Sequence, residues 1–364
     1  MSKHVVIATG GTGGHIYPAL TFANALVKRD ATIKITFVGS NQRMEKDIIP
    51  SYGYSFFGLD LIVPNGNVIK KAKAGVSLLK ATQKMKLFFK KNPCDLIVGF
   101  GNYIEYPVIH GANDYNIPYI LHEQNAIVGK ANLMLSKRAK CLMLSYPPTQ
   151  NIDCDYVVTG NPRSYEAIQE LKNNPLSAKD YGFKHNYPIV TIIMGSLGSS
   201  SINALLNDCI DLFAKRKINY ILVSGKNSGD SLHYADQYDN IRMFTSVDGI
   251  KTFHASTLIV SRAGASACAE IFALQKPSIL IPSPYVPNDH QTKNALAALN
   301  AKACYLLREG DANATVLDNT IAQLIQDSKQ LDKMSNACAS LRYENSVDDM
   351  IDIALKEMNH GRNY

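Results

Sequence analysis

The sequence predicts an α/β protein built from two doubly wound, parallel-sheet domains of Rossmann-like type. Short apolar runs alternate with helix-patterned segments, the signature of parallel strands joined by crossover helices. A strand, a glycine-rich turn and a helix start occur in that order twice, over Val5–Gly14 and again over Ile189–Ser201. The chain has 364 residues, more than one ordinary core needs and suited to two.

In chain order, Val5–Thr9 is the first apolar run. Tyr17–Lys28 follows, with Leu20, Ala23, Leu26 and Val27 at helical spacing. Ile33–Val38 is the second strand. Asp95–Val98, Ile117–Leu121, Cys141–Leu144 and Tyr156–Val158 continue the series, each closed by Gly, Pro or a polar residue. The pattern restarts with the strand Ile189–Met194, the turn Gly195–Ser201 and a helix reaching Ala214. Tyr220–Val223, Ile241–Phe244, Leu258–Val260 and Ile279–Ile281 complete it. Pro162, Asn173, Asn174 and Pro175 cluster at the junction. This places an N-terminal domain at 1–162, a C-terminal domain at 163–342 and a final segment at 343–364. The helical stretch Val347–Met358 is expected to pack back on the first domain.

Composition narrows the function classes. Hydrophobic residues make up 46% and charged residues 19%, ordinary values for a soluble globular protein. No uncharged apolar stretch reaches the length of a membrane span. The N-terminus lacks the apolar region and cleavage site of a signal peptide, so a cytoplasmic protein is expected. Seven cysteines without CxxC spacing argue against a disulfide framework and a zinc site. The net charge of +7 is uneven: residues 1–160 hold 18 of the 38 Lys and Arg but only 10 of the 31 Asp and Glu. The first half is therefore expected to meet an anionic partner.

The strongest chemical signal is Thr9-Gly10-Gly11-Thr12-Gly13-Gly14-His15, between the first strand and its helix. Glycines allow close backbone approach, and a helix N-terminus offers N–H groups to an anion. A dinucleotide site fits poorly. Ile16 stands where GxGxxG ends in Gly, and the second strand closes on Gly39-Ser40 without a carboxylate. His15 is either a capping or packing residue of the helix start or a ligand contact or base. A second glycine loop, Gly99-Phe100-Gly101-Asn102-Tyr103, and the turn His122-Glu123-Gln124-Asn125 also follow strands. All three belong at one carboxyl edge, where open α/β sheets bind ligands. In the second half, Gly195-Ser196-Leu197-Gly198-Ser199 and Ser261-Arg262-Ala263-Gly264-Ala265-Ser266-Ala267 present two more strand–turn–helix starts. Glu270 follows one to two turns into the latter helix, either as a solvated helix-face acid or, in this glycine-led context, as an acceptor for ribose hydroxyls. The polar start Asn288–Asn294 suits sugar hydroxyls.

Val68–Lys91 carries eight lysines and no acid, interleaved with Val76, Leu78, Leu79, Met85, Leu87, Phe88 and Phe89. Adsorption to anionic lipid headgroups, an ordinary solvated helix face and nucleic-acid binding are the three readings. The absence of a recognised nucleic-acid motif disfavours the last.

Taken together, Gly10–Ile16 with Pro18-Ala19, His122–Asn125, Gly160-Asn161-Pro162-Arg163, Ser261–Gly264, and His290-Gln291 with Asn294-Ala295 occur in an order that resembles the MurG family. Its members are undecaprenyl-diphospho-muramoylpentapeptide β-N-acetylglucosaminyltransferases. The resemblance implies the GT-B fold, with two Rossmann-like domains facing a cleft. It implies inverting transfer of N-acetylglucosamine from UDP-N-acetylglucosamine to the 4-hydroxyl of a lipid-linked muramoyl-pentapeptide, in peptidoglycan synthesis. No metal and no cofactor are implied. The protein would sit peripherally on the cytoplasmic face of the bacterial cell membrane, with an anionic membrane surface as partner and no nucleic acid.

Carried over by position, Thr12, Gly13 and Gly14 would line the cleft and Asn125 would contact the donor sugar. Arg163 and Ser196 would lie near the diphosphate. Ala265, Ser266, Ala267 and Glu270 would hold diphosphate and ribose, Gln291 would read sugar hydroxyls, and Thr245 would meet the uracil. His15 and Glu123 are the candidate bases, His15 preferred. Tyr103, Lys80, Lys84 and Phe88 would serve the acceptor and membrane side. Three positions depart from the family pattern: Asn102 in place of Gly, Leu197 in place of Gln, and Ala267 in place of Thr. Two further readings are a GT-B transferase acting on another lipid or small acceptor, and a UDP-sugar-binding protein without turnover.

Overall fold

The computed structural model describes residues 3–62, 68–195, 199–225 and 237–360. The chain divides into two compact units, Met1–Pro162 with Asn345–Tyr364, and Arg163–Glu344. Ser196 and Leu197 lie outside the described residues.

In the first unit the strands are β1 (His4–Ala8), β2 (Lys34–Ser40), β3 (Ser55–Leu59), β4 (Leu96–Gly99), β5 (Tyr119–Glu123), β6 (Leu142–Leu144) and β7 (Tyr156–Val158). They form one parallel sheet in the order β3-β2-β1-β4-β5-β6-β7. The reversal of direction at β1 and β4 marks the switch point where such sheets bind ligands. Val6 pairs with Ile97 and Val98 with Ile120, so the turns after β1, β4 and β5 emerge side by side. β1 and β5 are buried along their whole length, so Val5–Ala8 and Tyr119–Leu121 read as apolar runs, while His122 and Glu123 end β5 as buried polar residues. The crossovers include α1 (Gly13–Arg29), α2 (Glu45–Ser51), α3 (Val68–Lys91), α4 (Glu105–Ala112) and α5 (Lys130–Ser136).

Two expectations need adjustment here. α1 begins at Gly13, four residues before the apolar spacing starts. The first turn of a helix needs no intrahelical acceptors for its own N–H groups, so Gly13, Gly14 and His15 enter it without an apolar face. Thr12 is extended (φ −138°, ψ 162°), and its carbonyl accepts the His15 and Ile16 N–H groups at 3.1 and 3.2 Å. β3 was not expected. It is an edge strand interrupted by Gly58, with Phe56 and Phe57 only half-buried, and so lacks the fully apolar run of a central strand.

α3 is one helix. Ala74, Ser77, Ala81, Met85 and Phe89 turn inward at helical spacing and pack towards α4. Val76, Leu79 and Leu87 are 53%, 69% and 62% exposed on the opposite side.

The second unit holds β8 (Ile189–Ile193), β9 (Asn219–Val223), β10 (Ile241–Phe244), β11 (Leu258–Ser261), β12 (Ser278–Leu280) and β13 (Cys304–Leu306), all parallel, in the order β10-β9-β8-β11-β12-β13. Alternation along β11 is visible in the packing. Leu258 and Val260 join one core with Val190, Ile192 and Leu222, while Ile259 joins the other with Phe253, Ile271 and Phe272. β13, also unexpected from the sequence, is again a short edge strand with Tyr305 exposed. The helices include α6 (Arg163–Glu170), α7 (Ser200–Phe213), α8 (Gly249–Ala255), α9 (Ala265–Ala273), α10 (His290–Asn300), α11 (Ala314–Gln326) and α12 (Ser328–Cys338).

The last helix, α13 (Ser346–His360), belongs to the first unit. It packs on α1, where Arg29 Nη2 lies 3.2 Å from Asp352 Oδ1, and Lys3 Nζ donates to Asn359 Oδ1 at 2.6 Å.

Candidate functional site

The three turns of the first unit meet at His15. As the third residue of α1, His15 turns its ring towards the β4 and β5 turns. Its Nδ1 lies 2.9 Å from Phe100 O and 2.8 Å from Gln124 Oε1. The approach requires a glycine: a Cβ on Gly101, whose φ is 80°, would fall 3.1 Å from His15 Nδ1 and 3.4 Å from Gln124 Oε1.

The glycines of the first loop have different jobs. A Cβ on Gly10 would fall 2.3 Å from Glu45 Oε1, and Gly11 takes φ 92°. Gly14 is crowded by nothing nearer than Thr12 Oγ1, at 3.6 Å from a built Cβ. Packing and backbone conformation by themselves require glycine at Gly10 and Gly11. They let the loop sit on a buried carboxylate. Glu45, fully buried at the start of α2, accepts Ser40 N–H at 2.9 Å and Gly11 N–H at 3.2 Å. Glu105 does the same for the second loop, accepting Gly101 N–H at 2.5 Å. Burial pushes the Glu105 carboxyl well above its ordinary range; the Gly101 hydrogen bond opposes this and the Glu123 charge adds to it.

Asn102 stands where the family pattern has Gly. It adopts φ 82°, a conformation Asn tolerates better than most residues. Its Nδ2 donates to Gly10 O at 2.8 Å, and its Oδ1 accepts Tyr103 N–H at 2.6 Å. The departure ties the two glycine loops together and fixes the backbone of Tyr103, which is half-buried.

Glu123, one of the two candidate bases, is buried. Oε1 accepts the backbone and side-chain N–H groups of Asn125, both at 3.0 Å. Oε2 accepts Gly129 N–H at 2.8 Å and Asn132 Nδ2 at 2.9 Å. All four donors lie in the turn and helix that follow β5, so the carboxylate shapes that turn and orients Asn125.

In the second unit, α9 starts after Gly264, which supplies extended backbone but no side-chain cap. Ala265, Ser266 and Ala267 form its first turn, the part of a helix whose N–H groups suit an anion. Arg163, the first residue of α6, packs against α9: its Nε donates to Glu270 Oε1 at 2.6 Å and its Nη1 pairs with Glu166. Burial raises the Glu270 carboxyl above its ordinary value, while Arg163 pulls it down. Gln291, early in α10, accepts Ser283 N–H at 2.8 Å through Oε1. Thr245 is exposed at the end of β10.

On α3, Lys80 is exposed. Lys84 donates to Gly58 O at 2.9 Å and lies over the Phe57 ring. Phe88 packs against Phe57 with the rings tilted and their centroids 4.7 Å apart, and the outward apolar residues are Val76, Leu79 and Leu87.

Five residues around these sites carry no role that the sequence alone assigns: Glu45, Glu105, His122, Gln124 and Arg262. Each is buried and polar. Arg262 bridges Glu309 (2.6 Å), Ile281 O (3.1 Å) and Ser199 Oγ (2.9 Å), holding the turn after β8 to β11. Only His122, a polar residue inside the buried strand β5, left a signal in the sequence; Glu45 and Glu105 stand in first helical turns, where acids are ordinary, and Gln124 and Arg262 directly follow strands.

Residues 5–144 match the glycosyltransferase family 28 N-terminal domain, and residues 189–350 match its C-terminal domain. A UDP-N-acetylglucosamine--N-acetylmuramyl-(pentapeptide) pyrophosphoryl-undecaprenol N-acetylglucosamine transferase of an Exiguobacterium species is 34% identical over 358 residues, covering 96% of this chain and 98% of that protein. The transferase of the same name from Parabacteroides distasonis is 30% identical, over 97% of both chains. Among solved structures, Acinetobacter baumannii MurG superposes with a TM-score of 0.76 at 24% identity, covering 97% of this chain and 99% of that one.

Proposed function

The chain belongs to the MurG family of N-acetylglucosamine transferases within glycosyltransferase family 28, and on that premise we propose that it transfers N-acetylglucosamine from UDP-N-acetylglucosamine to the muramyl 4-hydroxyl of a lipid-diphosphate-linked N-acetylmuramyl-pentapeptide, with His15 as the base. The carrying observation is the pair of oxygens at His15 Nδ1, Phe100 O at 2.9 Å and Gln124 Oε1 at 2.8 Å. Two acceptors there require hydrogen on Nδ1 and leave the lone pair on Nε2. Glu123 has each oxygen engaged by two donors and serves to hold Asn125.

His15 Nε2 takes the proton from the 4-hydroxyl as its oxygen attacks the anomeric carbon. The bond from that carbon to the diphosphate oxygen breaks, and UDP leaves with the electron pair, inverting the centre. Negative charge grows on the diphosphate, and N–H groups fixed in advance stabilise it without reorganising. The first turn of α9, at Ala265, Ser266 and Ala267, supplies them. Arg163 meets Glu270 and Glu166 in this structure. Its main task is therefore to orient Glu270 towards the ribose hydroxyls, and neutralising the diphosphate comes second. Gln291 and Asn125 read the sugar. In the first loop, Thr12, Gly13 and Gly14 line the reaction space.

The protein works as a peripheral protein of the cytoplasmic membrane face. The outward strip of α3, with Val76, Leu79 and Leu87 among Lys73, Lys80 and Lys90, supports this reading. No helix among the described residues is long and apolar enough to cross a membrane.

The test is transfer from radiolabelled UDP-N-acetylglucosamine into a soluble analogue of the lipid-linked acceptor, with EDTA present. Label in the acceptor is the expected result. Donor binding without transfer would move the question to the acceptor, and absence of donor binding would overturn the assignment.

A further inference from the structure

We propose that Gln124 is a positioning residue for this reaction: anchored by His122, its amide holds the His15 imidazole with hydrogen on Nδ1 and the lone pair on Nε2. The proposal rests on His15 being the base and adds what keeps it one.

One chain of hydrogen bonds carries the assignment. Gly160 O can only accept, and it lies 3.0 Å from His122 Nε2, so that nitrogen carries a hydrogen. His122 is completely buried, and burial holds its pKa down to about 4. The ring is therefore neutral at physiological pH, and its Nδ1 bears a lone pair. Only an N–H can face that lone pair. The amide nitrogen of Gln124 does so at 2.9 Å, and the same Nε2 lies 3.2 Å from His122 O, a second acceptor. A flipped amide would set its oxygen against both acceptors, which fixes the orientation. Gln124 Oε1 then points the other way, 2.8 Å from His15 Nδ1.

The side chain is 1% exposed, so water does not compete for these bonds. Phe100 adds to the arrangement twice. Its carbonyl is the second acceptor at His15 Nδ1, and its ring packs against His122 with centroids 5.4 Å apart. Free neutral histidine in water favours the opposite tautomer, with hydrogen on Nε2. A base acting through Nε2 therefore needs partners at Nδ1, and Gln124 is the side-chain partner there.

The experiment uses the full chain. Nitrogen-labelled histidine, read by long-range proton–nitrogen correlation NMR, reports the tautomer of each ring, and loss of signals in His15→Gln assigns His15. The expected spectrum shows a pyrrole-type Nδ1 and a pyridine-type Nε2 for His15. In parallel, Gln124→Met removes the acceptor and the amide N–H groups at similar size, and Gln124→Glu keeps the acceptor but sets a second oxygen against His122 Nδ1 and O. The expected kcat of Gln124→Met is about 10- to 100-fold below wild type with the donor KM unchanged, and Gln124→Glu, lacking the anchoring N–H, does not restore it. A pyridine-type Nδ1 on wild-type His15, or wild-type kcat in Gln124→Met, overturns the proposal. The ring spectrum is read without catalysis, so it stands apart from the base assignment. Wild-type turnover in His15→Gln would remove that assignment instead.

Discussion

A Cβ built on Gly10 falls 2.3 Å from Glu45 Oε1, whereas one built on Gly14 meets nothing closer than 3.6 Å. Two glycines of one loop thus answer to different demands: Gly10 to packing and, on the proposed function, Gly14 to the reaction space. Gly10→Ala is expected to destabilise the first unit by about 2 kcal/mol or more, because the Glu45 side chain, buried and accepting Ser40 and Gly11 N–H, would have to shift. Gly14→Ala is expected to leave stability within about 0.5 kcal/mol and to lower kcat/KM at least about tenfold. Urea unfolding and the transfer assay on both variants check this. Equal stability of the two would contradict the packing account.

Arg163 and Glu270 form a mostly buried pair, 2.6 Å apart. Removing Arg163 alone leaves a buried carboxyl unpartnered. Arg163→Ala should therefore cost about 2–4 kcal/mol of stability, and Arg163→Ala with Glu270→Ala should cost less than the two single losses added. Strictly additive losses in denaturant unfolding would show that the pair does not act as a unit. Glu270→Ala alone should chiefly weaken donor binding, measured by calorimetry with UDP-N-acetylglucosamine.

Much of this was legible in the sequence. Central strands such as β1, β8 and β11 are buried on both faces, so they stand out as apolar runs, and the glycine turns mark the ligand edge. β3, interrupted by Gly58 and only half-buried over Phe56 and Phe57, and β13, three residues long with Tyr305 exposed, were not legible as strands, although the equally exposed edge strand β7 was. The candidate site was legible as loops but not as partnerships. That Glu45 supports Gly11, or that Asn102 bonds Gly10 O, depends on contacts between residues 34 and 92 positions apart. Local pattern carries no record of such contacts.

Glu105 is a buried carboxyl whose pKa is raised well above the ordinary carboxylate range, by burial first. A raised folded-state value means that stability is fully present below the unfolded pKa and falls as pH rises through the folded one. Glu105→Gln keeps an oxygen for Gly101 N–H and removes the ionisation. It is expected to flatten the loss of stability between the unfolded-state and the raised folded-state pKa. Thermal unfolding across that range checks it, and a variant with wild-type pH dependence would contradict it.

The exposed strip of α3 leads to a vesicle prediction. Leu79→Glu with Leu87→Glu removes two outward apolar residues that no core contact needs, since they are 69% and 62% exposed. Sedimentation with phosphatidylglycerol vesicles should fall about tenfold, while transfer to a soluble acceptor analogue stays at wild-type rate. Unchanged sedimentation would remove this face from the membrane account.

His15 Nε2 as the base is the centre of the mechanism. It is tested most directly by single-turnover transfer with His15→Ala, the Kd for UDP-N-acetylglucosamine being measured on the same preparation. The predicted rate is about 100- to 10,000-fold lower with donor affinity unchanged. A rate near wild type with donor affinity intact would contradict it.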